Sequence, residues 1–191
     1  MPSPVAHSLI GVIFGVACGL PRCAGWRRFG ARMWRWRGLL FLCVILANAP
    51  DVDYLFGLAA GDLNSRHQLI THTLGWVALV ALAVWWAQRY YAPRAVRLTC
   101  AFIFLLLASH IVADYFGSDN SPPRGIMALW PLDDRFFISP WPVFPAPEKR
   151  ALSELWSAHN LRVMAWEFGL LAPVLLAVML YKTRAPRPGS I

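Results

Sequence analysis

The chain has 191 residues, of which 58% are hydrophobic and only 15% charged, with a formal net charge of +8. So apolar a composition lies outside the ordinary mix of a soluble domain and indicates one membrane-embedded domain, residues 1–191. The basic balance does not indicate nucleic-acid binding, because the arginines flank apolar runs as a membrane protein's charge asymmetry requires.

The first apolar run, Val5–Leu20, is slightly short of the ~20 residues a spanning helix needs, and its first positive charge, Arg22, follows it, unlike a signal peptide. Arg22–Arg37 then interleaves six arginines with Trp26, Phe29, Trp34 and Trp36. That pattern predicts a segment lying in the interface, aromatics at headgroup depth and guanidiniums on anionic lipid headgroups. Gly38–Ala49 is apolar but clearly short, whereas Thr73–Tyr91 and Val96–Phe116 are long enough to span. Residues 117–160 hold seven prolines among Trp130, Phe136, Phe137, Trp141 and Phe144. That is too apolar for a solvated linker and predicts a folded-back cap. Leu161–Tyr181 completes the series, provided that Arg162 lies at its rim and Glu167 finds a partner. The expected fold is all-α: a polytopic membrane bundle of about five helices with a Pro/aromatic-rich outer loop. Cys18, Cys23, Cys43 and Cys100 show no CxxC pairing and are expected to behave as small hydrophobes.

Sorting charges onto the two sides of that bundle tests it. The first connection, the second (Arg89, Arg94, Arg97) and the tail (Lys182, Arg184, Arg187) collect twelve of the eighteen basic residues and none of the acids. The positive-inside rule then predicts an N-terminus outside and a C-terminus in the cytoplasm of a bacterial inner membrane. All ten acids and every histidine fall on, or close to, the outer side.

His7 opens the first run, Asp51 and Asp53 follow Pro50, His67 and His72 precede the third run, and His110 and Asp114 end the fourth. Ionisable groups at membrane depth are costly, and several converging ones signal function. In His110-Ile-Val-Ala-Asp114 the spacing advances a helix by about 400°, so both side chains leave one face a turn apart, as chelation requires. Alternation in Asp51-Val-Asp53 sets two carboxylates on one side, where they need a shared cation or proton. His67 and His72 converge only if the first lies in the loop and the second in the first helical turn. The competing explanation for each group is a hydrogen-bonded polar core or a helix cap. The conjunction favours a metal site on the outer side, its mixed nitrogen and oxygen donors suiting zinc, and also manganese or iron, with one or two ions.

These pieces, His7-Ser-Leu-Ile-Gly11, Pro50-Asp-Val-Asp53, Arg66-His67, Thr71-His72-Thr73, His110-Ile-Val-Ala-Asp114 and Leu129-Trp-Pro131 leading to Asp134-Arg-Phe136, run in one order over two-thirds of the chain. The ordered set resembles the bacterial membrane-bound metal-dependent hydrolases of the YdjM type. More distantly, it is similar to zinc phospholipases C and single-strand nucleases, whose late histidine followed by HxxxE is missing here. The resemblance implies metal-assisted hydrolysis, here of a phosphoester or lipid-linked phosphate. His67 or His72, with Asp53, His110 and Asp114, would hold the principal ion and His7 a second one. Asp51 would be a ligand or the base for the attacking water, and Arg66 and Arg135 would bind an anionic headgroup. Two alternatives stay open. One is a non-enzymatic metal-stapled structural protein or transporter. The other is a metal-free lipid phosphate phosphatase, suggested by Ser65-Arg66 and His72.

Overall fold

The computed structural model describes residues 1–59, 68–91, 98–120, 124–149 and 152–184. Among the described residues every regular element is helical. Helix α1 (Pro4–Phe14) starts where the Ser3 hydroxyl accepts from the Val5 amide and Pro4 supplies a preset φ, and it runs on through a π-turn, Gly15–Gly19. Helix α2 (Trp26–Arg35) carries the interleaved arginines and tryptophans, and α3 (Arg37–Asn48) follows directly. A 3-10 turn, Ala49–Asp53, leads into α4 (Tyr54–Ala59). A second short turn, Ile70–His72, precedes α5 (Leu74–Tyr91). Helix α6 (Cys100–Tyr115) is capped by Thr99, and α7 (Ala158–Thr183) by Ser157.

Helix α1 lies between α3 and α7, and α6 lies between α3 and α5. The α1–α3 approach is close because two glycines allow it. A Cβ on Gly11 would sit 2.7 Å from the Cys43 carbonyl oxygen, and one on Gly15 would sit 2.8 Å from a Leu40 methyl. Val16, Leu20, Phe29, Leu40, Cys43, Leu46, Ile103 and Leu107 fill the core between these helices. Outside, Phe41, Leu79, Leu82, Leu105, Trp166, Phe168 and Leu176 are exposed, an apolar exterior that water would not tolerate and lipid would.

Arg37–Gly57 and Ala158–Thr183 are long and apolar enough to cross a membrane; Pro4–Gly19 and Cys100–Tyr115 are apolar but shorter. The expected shortness of Gly38–Ala49 therefore needs correcting. Pro50 does not end the helical path, because a proline is tolerated at the start of the 3-10 turn and the chain stays coiled through Gly57. Conversely, α5 is about 27 Å long, but Trp85, Trp86, Gln88, Arg89, Tyr90 and Tyr91 make its last turns an interfacial end. The four cysteines are free thiols.

Glu167 finds its partner in the start of α1. Buried in α7, it accepts the Ser3 amide at 2.6 Å and the Ser3 hydroxyl, so a carboxylate sits at the positive end of the α1 dipole. At the opposite end the Lys182 ammonium donates to the Leu20 carbonyl at 2.5 Å. The Cys23 and Gly25 amides donate to the carbonyls of Lys182 and Thr183, both at 2.9 Å. Helices α1 and α7 are thereby parallel, tied together at both ends.

The predicted cap is folded, without regular strands among its described residues. The Ser118 amide donates to the Phe144 carbonyl, and the Ser139 and Val143 amides donate to the carbonyls of Tyr115 and Phe116 at the end of α6, at 2.7–2.8 Å. Gly125 takes a φ of +95°, and a Cβ there would meet the Phe137 carbonyl oxygen at 2.5 Å, so this crossing requires glycine. Asn160, buried at the start of α7, closes the cap from behind. Its amide donates to the carbonyls of Glu148 (2.6 Å) and Glu154 (2.9 Å), and its oxygen accepts the Glu148 amide (2.8 Å).

Candidate metal centre

Four chain segments meet at the end of the bundle under the cap. The start of α1 brings His7, the 3-10 turn after α3 brings Asp51 and Asp53, the turn before α5 brings His72, and the last two turns of α6 bring His110 and Asp114. His7, His72, His110 and Asp114 are each at most 2% exposed. The i, i+4 spacing does what helix geometry predicts: His110 Nε2 lies 3.1 Å from Asp114 Oδ2.

His72 Nε2 lies 3.2 Å from His110 Nε2, 3.3 Å from Asp114 Oδ2 and 3.5 Å from Asp51 Oδ1, and His110 Nε2 lies 3.4 Å from the same Asp51 oxygen. The two imidazole nitrogens thus each lie within 3.5 Å of an oxygen of Asp51 and of Asp114. Tetrahedral ligands at ~2.0–2.1 Å from a zinc ion are separated by about 3.3–3.4 Å, which these edges match. Charge-assisted hydrogen bonds between imidazole and carboxylate would close to about 2.7–2.9 Å. Both oxygens of Asp114 and both nitrogens of His7 are buried with no hydrogen-bond partner among the described residues. Orphaned buried acceptors around a common centre fit a cation.

The outer contacts of the imidazoles aim the same way. His110 Nδ1 lies 2.8 Å from the Ala47 carbonyl oxygen, which can only accept, so Nδ1 carries the proton and Nε2 presents its lone pair to the cluster. Behind His72, the Thr71 hydroxyl donates to Asp53 Oδ2 at 2.7 Å and lies 3.0 Å from His72 Nδ1, with Asp53 Oδ2 itself at 3.3 Å. The Gln68 amide also donates to Asp53 Oδ2, at 3.2 Å. Such carboxylate and carbonyl partners on the far ring nitrogen are characteristic of metal-ligating histidines. Two facing Nε2 lone pairs need something positive between them. Burial pushes His72 down, but the carboxylates of Asp114, Asp51 and Asp53 beside it outweigh this and hold it well above the ordinary histidine value.

His7 stacks on His110 with ring centroids 3.7 Å apart, and its Nε2 lies 3.4 Å from Asp114 Oδ1. His7, His110 and Asp114 form a second group of donors within mutual chelating distance, beside that of Asp51, His72 and His110. Asp114 thus offers one oxygen to each group.

Of the residues singled out from sequence, His7, Asp51, Asp53, His72, His110 and Asp114 come together. Arg66 and His67 lie outside the described residues. Arg135 stands apart, its side chain 75% exposed and forked onto Asp133, with Nη2 2.6 Å from Oδ2. Asp53 stands behind His72 rather than among the four converging donors, and Asp51 is among them. The sequence motifs include Thr71 but give it no role, and they leave out Gln68 and the Ala47 carbonyl. The Asx-like company of Thr71 beside His72 was the one available signal, because a carbonyl leaves none.

A helical bundle with an apolar exterior and a buried histidine–aspartate cluster under a cap defines a membrane protein whose clustered residues could hold a metal ion. The family model of the YdjM inner membrane protein matches residues 1–185, and the chain belongs to that family. It is 31% identical over 151 residues, 75% of either chain, to the curated inner membrane protein YbcI of Escherichia coli (strain K12). No solved structure matches the chain, so the likeness to zinc phospholipases and nucleases gains no support.

Proposed function

We propose that this is a multi-pass inner-membrane hydrolase that uses a divalent cation, zinc foremost, to cleave a phosphoester or lipid-linked phosphate. The observation that carries the reading is the set of five inter-donor distances, 3.1–3.5 Å, among His72, His110, Asp51 and Asp114. Those four residues would hold the principal ion, and His7 with the second oxygen of Asp114 would hold another. The ion supplies Lewis acidity toward a phosphoryl oxygen and toward water. Ala47 and Asp53 keep the two imidazoles in the tautomer that points Nε2 inward. Asp51 is the one donor of the four with measurable side-chain exposure, 14%, so water and substrate reach the cluster past it, and it is the group placed to take a proton from water.

Charge and aromatic placement support the orientation with the cluster facing the periplasm. Trp34, Tyr90 and Tyr91 are exposed at one end beside the arginine-rich α2, and Trp141 and Trp156 are exposed at the other, under which the cluster lies. Helix α2, with Arg32 held by the Pro21 and Arg22 carbonyls at 3.0 Å, would lie on anionic headgroups of the cytoplasmic leaflet.

The test is metal content per chain in detergent-purified protein, for wild type and a His110→Ala/Asp114→Ala variant, followed by turnover of a phosphoester panel. One or two ions lost in the variant, with metal-dependent turnover in wild type, is the expected result. A structural staple is the second reading, favoured by the full burial of the His72, His110 and Asp114 side chains. Asp51→Asn decides between them: metal retained with turnover lost marks a catalytic site, whereas metal and thermal stability lost together mark a staple.

A further inference from the structure

Lys149 is the one cation of the described cap that borders two different cavities at once. On one side lies an apolar cavity of about 200 Å³, lined by Pro4, Tyr54, Leu155 and Met164. On the other is a polar cavity of about 290 Å³, lined by Asn120, Glu148, Glu154 and His159. Lys149 and Glu148 line both. The Lys149 backbone is set by its neighbour, because Asn160 holds both the amide and the carbonyl of Glu148.

Among the described residues the Lys149 ammonium reaches only a weak acceptor, Met1 Sδ at 3.4 Å, and lies 5.7 Å from the Tyr54 ring centroid. It forms no salt bridge with any of them. Burial pushes its pKa down, while the carboxylates of Asp114, Asp119, Asp51 and Asp53 act at longer range to raise it. Tyr54 follows Asp53 directly, and Met1 Sδ also receives the Gln68 amide group, whose backbone holds Asp53. A half-buried cation at the junction of an apolar and a polar cavity, on the side of the metal-ligating carboxylates, is a place for the anionic joint of an amphiphile.

Resting on the hydrolase reading, we infer that Lys149 binds the phosphate of a lipid-linked substrate, with the first part of the apolar chain in the Tyr54–Leu155–Met164 cavity and the polar head in the Asn120–His159 cavity. This assigns to Lys149 the anion-binding role that sequence reading gave to Arg66 and Arg135. A 200 Å³ cavity is smaller than a pocket that encloses a whole ligand, so it takes only the chain segment nearest the phosphate and leaves the remainder to the bilayer. Glu148 and Glu154 oppose a second negative charge in the polar cavity, which restricts the anion to the lysine side. An ammonium there is a point charge that needs no bidentate geometry.

The experiment is equilibrium binding of dihexanoyl-phosphatidic acid and of inorganic phosphate to the full chain in detergent, with metal content measured on the same samples. The proteins are wild type, Lys149→Met, Lys149→Arg and Met164→Trp. Expected is tighter binding of the lipid phosphate than of inorganic phosphate by about tenfold. Lys149→Met should weaken both at least severalfold at unchanged metal content, and Lys149→Arg should restore both. Met164→Trp, which fills the apolar cavity, should weaken the lipid phosphate alone. Unchanged binding of both anions in Lys149→Met overturns the assignment, and equal affinity of wild type for the two anions overturns the lipid part of it. Wild-type chains that carry no metal, yet bind both anions in a Lys149-dependent way, would leave the anion subsite standing while the cation reading of the cluster falls.

Discussion

Replacing Asp114 by Asn separates a metal site from a polar core by the sign of its effect. Asp114 is 2% exposed, faces three imidazoles at 3.1–3.4 Å, and has no hydrogen-bond partner on either oxygen among the described residues. If an ion holds the cluster together, the carboxylate is a ligand, and its loss weakens metal binding by more than the ~10–100-fold that removal of an outer partner costs. A ligand present at a hundred times its dissociation constant stabilises the folded state by about 2.7 kcal/mol. For a chain of this length that corresponds to roughly 5–10 °C in Tm. Wild type should therefore melt higher with zinc than with chelator by that margin, and Asp114→Asn should show no such difference. In chelator the variant should be as stable as wild type or more so, because an ill-partnered buried charge has been removed. Thermal unfolding of both proteins in one detergent, with and without chelator, reads all four values. A variant several degrees less stable than wild type in chelator, with no zinc shift in wild type, would refute the cation and leave an ion-paired core.

Asp53→Asn should lower metal affinity about 10–100-fold without changing the number of ions bound, because it orients His72 from behind; a metal titration checks this. Metal affinity should fall as pH drops, since the proton that the three carboxylates stabilise on His72 competes with the ion. In chelator the sign reverses. The raised His72 value adds stability that is complete below the unfolded-state value of about 6.5 and is lost as pH rises through the folded-state value, which melting curves across that range would show. Glu167→Ala should cost about 1–3 kcal/mol by leaving the Ser3 amide and hydroxyl without their buried acceptor, and it should loosen metal binding through His7, four residues along α1; Tm and metal content together test it. Gly11→Ala should destabilise by about 1–3 kcal/mol, since its Cβ would press on the Cys43 carbonyl; an unchanged Tm would show that α1 and α3 can part cheaply.

The site was legible in sequence wherever its chemistry is carried by rare residue types. Histidines and aspartates in an apolar chain stand out, and the i, i+4 pair His110 and Asp114 obeys helix geometry whatever surrounds it. Which carboxylate turns inward was not legible. Alternation predicted that Asp51 and Asp53 share a side, but the stretch is a 3-10 turn, not an extended strand, and the turn sends Asp51 to the common centre and Asp53 behind His72. The same turn undid the estimate of the second apolar run, because proline at a helical start continues a coil that composition alone marks as ended. Partners made of backbone, such as the Ala47 carbonyl behind His110 and the start of α1 against Glu167, carry no residue-type signal.

The cap and the cluster depend on one another through the physics of burial. Six ionisable side chains at the end of an apolar bundle would draw water into it unless something covered them, and covering them raises the cost of every unpaired charge. Residues 117–120 and 124–149 supply the cover, anchored on α6 by the Tyr115 and Phe116 carbonyls and on α7 by Asn160. That anchoring explains why so proline-rich a segment is folded. It also leaves the Asp51 side chain partly exposed and sets Lys149 between its two cavities. A cap serving only to seal a staple would have no use for a lysine that forms no salt bridge with any described residue, whereas a cap admitting an anionic amphiphile would.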